Sequence, residues 1–358
     1  MPVSADKRQN RHSKAWPTGA DPSAVPFMPS RFTLYLWLGL VVLVVFMAAA
    51  QRVWAWAFAR QQRRIGALHA ALARRRARRY LNRFDVGDLA DRLGLTQEAL
   101  AALDTRYQAA SIPKRRGGRR HLAIPNPQLK TTQRLILRRL LRKLRTHPAA
   151  TGFESGVSIT HNAAAHVGQA VVIKMDLVDF FPSTSAQRVE AYFRRIGWTP
   201  DAATLLTRLT THNAGLPQGA PTSPRLSNLV NFVMDAQIQR WVAYRKGVYT
   251  RYADDLTISF PKDYPKRVRG TIQHVRRVAQ HHGYAIHTRG KLRVVRRHQP
   301  QRVTGLVVND RVNLPRGTRR WLRAVEHRQL TTGRASLTRE QLAGWHALQH
   351  MIENQRLR

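Results

Sequence analysis

The sequence contains no cysteine, which excludes disulfides and every cysteine-ligated metal site and suits a reducing compartment. Acidic residues are scarce: 20 Asp and Glu stand against 61 Lys and Arg, a formal net charge of +41. An excess this large and this widely spread is not a targeting tail. It points to a polyanionic partner, with nucleic acid ahead of acidic lipid. The 15 histidines include no HExxH spacing, and the neighbours His281 and His282 read as an exposed helix end. What is present is length: 358 residues suffice for two or three domains and a substantial core.

Residues 1–31, rich in Pro, Ser and basic side chains, read as a flexible basic tail. Phe32 to Ala50 is uncharged and almost wholly apolar, about long enough as a helix to cross a hydrocarbon core of roughly 30 Å, and Trp54 and Trp56 follow as interfacial anchors. A transmembrane and interfacial helix is therefore expected over 32–59, with a signal peptide and a buried core helix as the alternatives. Arg52, Arg60, Arg63 and Arg64 outweigh Lys14 and Arg31, so the positive-inside bias puts the large domain in the cytoplasm of a single-pass inner-membrane protein. Residues 60–105 continue as a basic helical linker and small helices, two of them about Gly94 with Thr96 as N-cap.

From Tyr107 to Ile124 the pattern predicts a β-hairpin with a cationic tip, then a helix over Leu129 to Leu144 with one apolar and one basic face. A strand over Gln169 to Met175 ends at Asp176, and a helix from Ala186 to Ile196 follows. Asp179 is placed to cap a helix, which leaves Asp176 free for a metal. Two Gly and three Pro within Gly215 to Pro224 exclude regular structure. Ser223 is the expected N-cap of a helix over Arg225 to Trp241, with Leu226, Leu229, Val233 and Ile238 facing the core. Apolar residues then alternate across Val248 to Phe260, the period of two strands joined by a turn that carries Asp254 and Asp255. Adjacent acids at a turn are by themselves usually a solvated tip. Lys266 to His282 reads as a helix stopped by Gly283, Tyr284 to Val295 as a strand pair, Val303 to Arg316 as a short strand pair, and Thr318 to Arg358 as basic helices.

The order of basic hairpin, strand with DxxxFF (Asp176 to Phe181), LPQGxPxSP loop (Leu216 to Pro224) and YADD hairpin (Tyr252 to Asp255) resembles a reverse transcriptase, over about Tyr107 to Arg316. Asn162 to His166 matches an NAxxH block and Val303, Thr304 and Gly305 a VTG block, both marks of retron reverse transcriptases. The resemblance implies an α+β right-hand polymerase: fingers over 106–168, an antiparallel palm over 169–300, and a helical thumb and RNA-recognition region over 301–358. It implies Asp176, Asp254 and Asp255 as catalytic metal ligands for two Mg²⁺ ions, or Mn²⁺, with Asp176 and Asp254 bridging. Phe181 would be the steric gate against a ribose 2′-hydroxyl and Phe180 a core aromatic. Gln218, Gly219 and Arg120 would border the nucleotide, with Arg119 and Lys114 as alternatives to Arg120, and Lys291 would stand near the leaving pyrophosphate. Tyr252, Asn162, His166, Val303, Thr304 and Gly305 would serve primer and template.

The implied partners are deoxynucleotides, a cognate structured noncoding RNA and its DNA copy, a retron effector and a host RNase H, beside the membrane. The implied reaction copies part of that RNA into branched RNA–DNA from a 2′-hydroxyl, in antiphage defence. A group II intron or diversity-generating enzyme, and a tethered RNA-binding effector with vestigial polymerase, are the rival readings.

Overall fold

A computed structural model describes residues 83–114, 117–288, 290–333 and 336–354. The expected tail and membrane helix, and the linker up to residue 82, lie outside the described residues. Among the described residues no helix is long and apolar enough to cross a membrane.

Helix α1 (Val86–Leu93) begins on a reciprocal capping box between Asp85 and Asp88 and ends where Gly94 turns left-handed. Thr96 caps α2 (Gln97–Ala101), accepting from the Ala99 amide. Strands β1 (Tyr107–Pro113) and β2 (Arg119–Pro125) form an antiparallel hairpin. Helix α3 (Pro127–Leu135) runs into a π-helical turn, Ile136–Leu141, within the stretch expected to be one regular helix. The guanidinium of Arg225 donates to the carbonyls of Leu141, Arg142 and Leu144, satisfying the acceptors that this helix end leaves open. Leu89, Leu129, Ile136, Val189, Phe193 and Leu226 join one buried core here.

A second core surrounds the main sheet. After α4 (Ile159–Ala164) come β3 (Val171–Asp176), the short α5 (Phe180–Ser183), α6 (Ala186–Arg195), α7 (Pro200–Thr210), α8 (Ser223–Val230) and α9 (Phe232–Tyr244). Then follow β4 (Val248–Tyr252), β5 (Asp255–Phe260), α10 (Pro265–His281) and β6 (Arg293–Arg296). The sheet order is β4-β5-β3-β6 and each pairing is antiparallel. Strand β3 is apolar and buried along nearly its whole length because it is central and covered on its faces. The antiparallel sheet with helices packed on it agrees with the expected α+β palm.

Two helix expectations are corrected. The α8–α9 segment breaks at Asn231, so the heptad-like register shifts: Val233 is 39% exposed while Met234 takes the core position. Ser223 is the first helical residue, not the cap; its hydroxyl donates to the Pro217 carbonyl, which pins the preceding loop. The strand pair expected over 284–295 reduces to β6 and a single bridge between Ile286 and Leu177.

The last core joins β7 (Arg302–Val303), β8 (Leu306–Val307), α11 (Arg316–Thr332) and α12 (Arg339–Asn354) to α4. The two short motifs therefore meet: Thr304 Oγ1 donates to the Ile159 carbonyl at 3.0 Å. Val303 and His166 are 0% exposed and Asn162 1%, so they cannot touch primer or template directly. This corrects the direct role expected of them; they are braces behind the sheet. The Thr151 hydroxyl donates to Asn162 Oδ1, while Thr304 and Gly305 form the β7–β8 turn, both with positive φ.

His166 stands between Ser259 Oγ at 2.7 Å and Thr250 Oγ1 at 2.8 Å, tying β5 and β4 together from behind. Burial pushes its imidazole down to about 3. The unfolded chain, titrating near 6.5, therefore binds more protons between these values, and stability falls as pH drops through that window. Wild type is expected to lose about 2 kcal/mol from this group between pH 7 and pH 5. Urea unfolding midpoints at the two pH values should show a shallower fall for His166→Gln.

Candidate active site

The β4–β5 turn is a two-residue loop, Ala253 and Asp254, closed by the Tyr252–Asp255 pair; Ala253 carries the positive φ of 57° that so tight a connection needs. Because β3 pairs with β5, Asp176 lies directly across from Asp255, and the Leu177 amide donates to the Asp254 carbonyl at 3.0 Å. The sheet therefore brings Asp176 beside two carboxylates that lie nearly eighty residues further along the chain. Burial, then repulsion from Asp176, holds the Asp254 carboxyl above its ordinary range; Asp255 is raised by burial and Asp176 although Lys174 pulls it down. Lys291 Nζ donates to Asp176 Oδ1 at 2.6 Å, and His287 Nε2 lies 3.4 Å from the same oxygen. The site thus binds Lys291 into its centre, closer to the carboxylates than its expected place near a leaving group required.

Crowded carboxylates with a cation already on one of them form a donor set suited to a hard divalent ion. Among the described residues no three metal-binding side chains close around one point. An octahedral ion that keeps water and substrate oxygens needs only one or two of them, so the donor set fits Mg²⁺.

Asp179 is corrected: it adopts a left-handed φ of 43° before α5 but makes no side-chain cap, and Ser185 caps α6 instead. The αL turn lets the chain reverse directly after β3. Phe180 is then 5% exposed, packed on Tyr284, whereas Phe181 is half-buried. The Leu216 amide donates to the Phe181 carbonyl at 3.2 Å, joining the DxxxFF turn to the proline-rich loop. That loop reaches the hairpin: the Ala123 amide donates to the Gln218 carbonyl at 2.9 Å, and a side chain on Gly219, at φ 135°, would strike the Ala123 carbonyl. Gln218 and Gly219 thus form the joint between the site and β2. Arg120 is exposed on β2, while Arg119 is held by Ser111, Nε to Oγ 2.8 Å.

Phe153 escaped sequence reasoning. Its ring centroid lies 6.0 Å from that of Phe181 and 6.3 Å from that of Tyr252, completing an aromatic row beside the carboxylates. It is 44% exposed and left-handed, and Gly152 before it packs so closely under the β4–β5 turn that a Cβ would meet the Ala253 amide. The only signal in the sequence was a Gly-Phe pair in an irregular stretch. The buried Arg251 was also missed: it pairs with Asp235, both fully buried, and donates to the Ala253 carbonyl at 3.2 Å.

A family model, Reverse transcriptase (RNA-dependent DNA polymerase), matches residues 112–308. The chain is 34% identical over 245 residues to the Retron Ec86 reverse transcriptase of Escherichia coli, covering 68% of this chain and 75% of that protein. The chain belongs to the retron reverse transcriptases. Two further members of this family come from Myxococcus xanthus: Retron Mx162 reverse transcriptase is 39% identical, with 70% of this chain and 58% of that protein covered. Retron Mx65 reverse transcriptase is 38% identical, with 69% and 61% covered. The chain thus spans about three fifths of the length of these two relatives.

Proposed function

We propose that the chain is an RNA-directed DNA polymerase that copies part of a cognate structured noncoding RNA into branched RNA–DNA, starting from a 2′-hydroxyl. The observation that carries this reading is the register that sets Asp176 opposite Asp255 with Asp254 at the adjoining turn. Asp176 and Asp254 would hold two Mg²⁺ ions between them, with Asp255 as accessory ligand. Bound there, the ions would lower the pKa of the primer hydroxyl and offset charge on the transferred phosphoryl group. The protein's own part is positioning. Arg120 would grip the triphosphate from β2, Gln218 and Gly219 would border the nucleotide, and Tyr252 would flank the primer end. Lys291, already a donor to Asp176, would move its proton-bearing ammonium toward the leaving phosphate.

Phe181 would exclude the ribose 2′-hydroxyl. Phe181→Ala is therefore expected to lower the preference for deoxynucleotides over ribonucleotides by about 100-fold, with deoxynucleotide incorporation reduced far less. Single-nucleotide extension of a primed RNA template, with each nucleotide type in turn, measures this ratio.

Residues 32–59 would anchor the enzyme in the bacterial inner membrane with the catalytic part cytoplasmic, near an effector in antiphage defence. A host RNase H would then trim the template. The nucleic acid that co-purifies with the full chain tests the retron reading: a covalently branched RNA–DNA species supports it, and unmodified bulk RNA overturns it. Finding the full chain in the soluble fraction would remove the anchor.

A further inference from the structure

The helices α9 and α10 cover the sheet with Met234, Ile238, Val242, Val268 and Val275. On their other side they enclose an open groove of about 800 Å³, lined among others by Arg240, Trp241, Tyr244, Arg245, His274 and Arg277. Among the described residues no carboxylate lines it. The catalytic carboxylates stand at the strand ends, on residues that contribute nothing to this lining.

Three features separate the groove from the general basic surface. First, it holds a built aromatic stack: the His274 ring lies parallel to Trp241 with centroids 3.9 Å apart, and the Arg245 guanidinium sits 3.4 Å from the Trp241 ring centroid while donating to the Trp241 carbonyl. Second, Tyr244 beside this stack is 84% exposed, although the ring belongs to a helix whose inner face is core. An aromatic ring that open gains little from folding and is well suited to receive another flat ring. Third, Trp241 Nε1 and His274 Nε2 are buried within the stack without a hydrogen-bond partner.

Flat apolar faces flanked by guanidinium groups, with no acid among them, match a chain of bases and phosphates. We propose that this outer palm groove is a second binding site for single-stranded RNA, in which a base stacks on Tyr244 while Arg240 and Arg277 contact the adjoining phosphates. The inference rests on the reading of the chain as an RNA-handling enzyme, and it assigns part of the RNA a path across the back of the palm. An acidic protein segment is the competing occupant; it would use the arginines but gain nothing from an open ring in preference to any other apolar group.

The test uses the full chain, first saturated with a primer–template hairpin so that the catalytic cleft is filled. A fluorescent single-stranded dodecamer of uridine carrying one 4-thiouridine is then titrated in and irradiated. Tyr244→Ala should weaken binding about tenfold and Tyr244→Phe should retain it, since stacking needs the ring and not the hydroxyl. Arg240→Gln with Arg277→Gln should weaken binding and lower the magnitude of the salt slope by about 1.4. The photoadduct should fall within 240–245 or 274–277. Unchanged binding by Tyr244→Ala, adducts only elsewhere, or equal displacement by poly-glutamate would overturn the site. Primer extension by the same variants should match wild type. If extension fails in wild type itself while the adduct forms, the polymerase reading fails and the groove stands.

Discussion

Asp254→Asn is expected to lower DNA synthesis by about a thousandfold or more and, at the same time, to raise the unfolding temperature of the metal-free protein. Both effects follow from the position of Asp254 at a half-buried turn beside Asp176. The folded carboxyl group titrates above its unfolded value, because burial and its neighbour's charge oppose ionisation. Its favourable contribution to stability is complete below the unfolded value and is lost as pH rises through the folded one, so at neutral pH the ionised group destabilises the empty site. An amide of the same shape relieves that strain. Adding MgCl₂ should reverse the ranking, raising the transition of wild type and leaving the variant nearly unmoved. Extension assays and thermal scans with EDTA or Mg²⁺ test the pair of outcomes together. Normal synthesis by the variant would remove Asp254 from the metal site.

The second large effect concerns stability. Arg251→Met should cost about 3–5 kcal/mol, because it strands the Asp235 carboxylate at 0% exposure. In the native fold the guanidinium meets Asp235 through Nη2–Oδ2 at 2.6 Å and Nε–Oδ1 at 2.8 Å, and the Tyr249 hydroxyl donates to the same carboxylate at 2.8 Å. Burial works against the charge on Arg251, but Asp235 more than offsets this and holds the guanidinium protonated. Replacing both partners, Arg251→Met with Asp235→Leu, should recover much of the loss, since no buried charge is left unpaired. Synthesis should nevertheless stay about 10- to 100-fold low in the double variant, because the Ala253 carbonyl at the catalytic turn has lost its donor. Denaturant midpoints and extension rates on the same three proteins separate the two roles.

The hairpin that carries Asp254 and Asp255 was legible because its alternation of apolar residues is local, and the metal role expected of it rests on the order of blocks along the chain. Asp176 and Asp254 could be linked only by that order, since nothing local shows that β3 lies beside β5. Helix caps misled: Asp179 occupies an αL turn without a capping bond, and the Ser223 hydroxyl bonds a loop carbonyl. The core assignment of Val233 failed because Asn231 breaks the helix, and a one-residue phase change is invisible to a pattern read through it. Asn162, His166 and Val303 carry a family signature, yet the signature marks packing between α4, β4, β5 and β7. Phe153 and Arg251 were missed for opposite reasons: one lies in an irregular stretch without period, and the other is a charged residue in a strand that reads as surface.

The strand order has a consequence for how the molecule is made. Strand β3 is central, but both its neighbours, β5 and β6, are encoded after it. Its run Val171–Val172–Ile173 therefore leaves the ribosome with two open hydrogen-bonding edges, and the second edge is not covered until Arg296 has been added. At bacterial elongation rates that interval is roughly 6–24 s. Newly made chains spend it with at least one edge of their most apolar strand open, so the yield of soluble protein should depend on how fast codons between β3 and β6 are translated and on chaperones that shield a single extended segment. Both pairings of the strand that ends at Asp176 are thus completed well after the basic β1–β2 hairpin has been made.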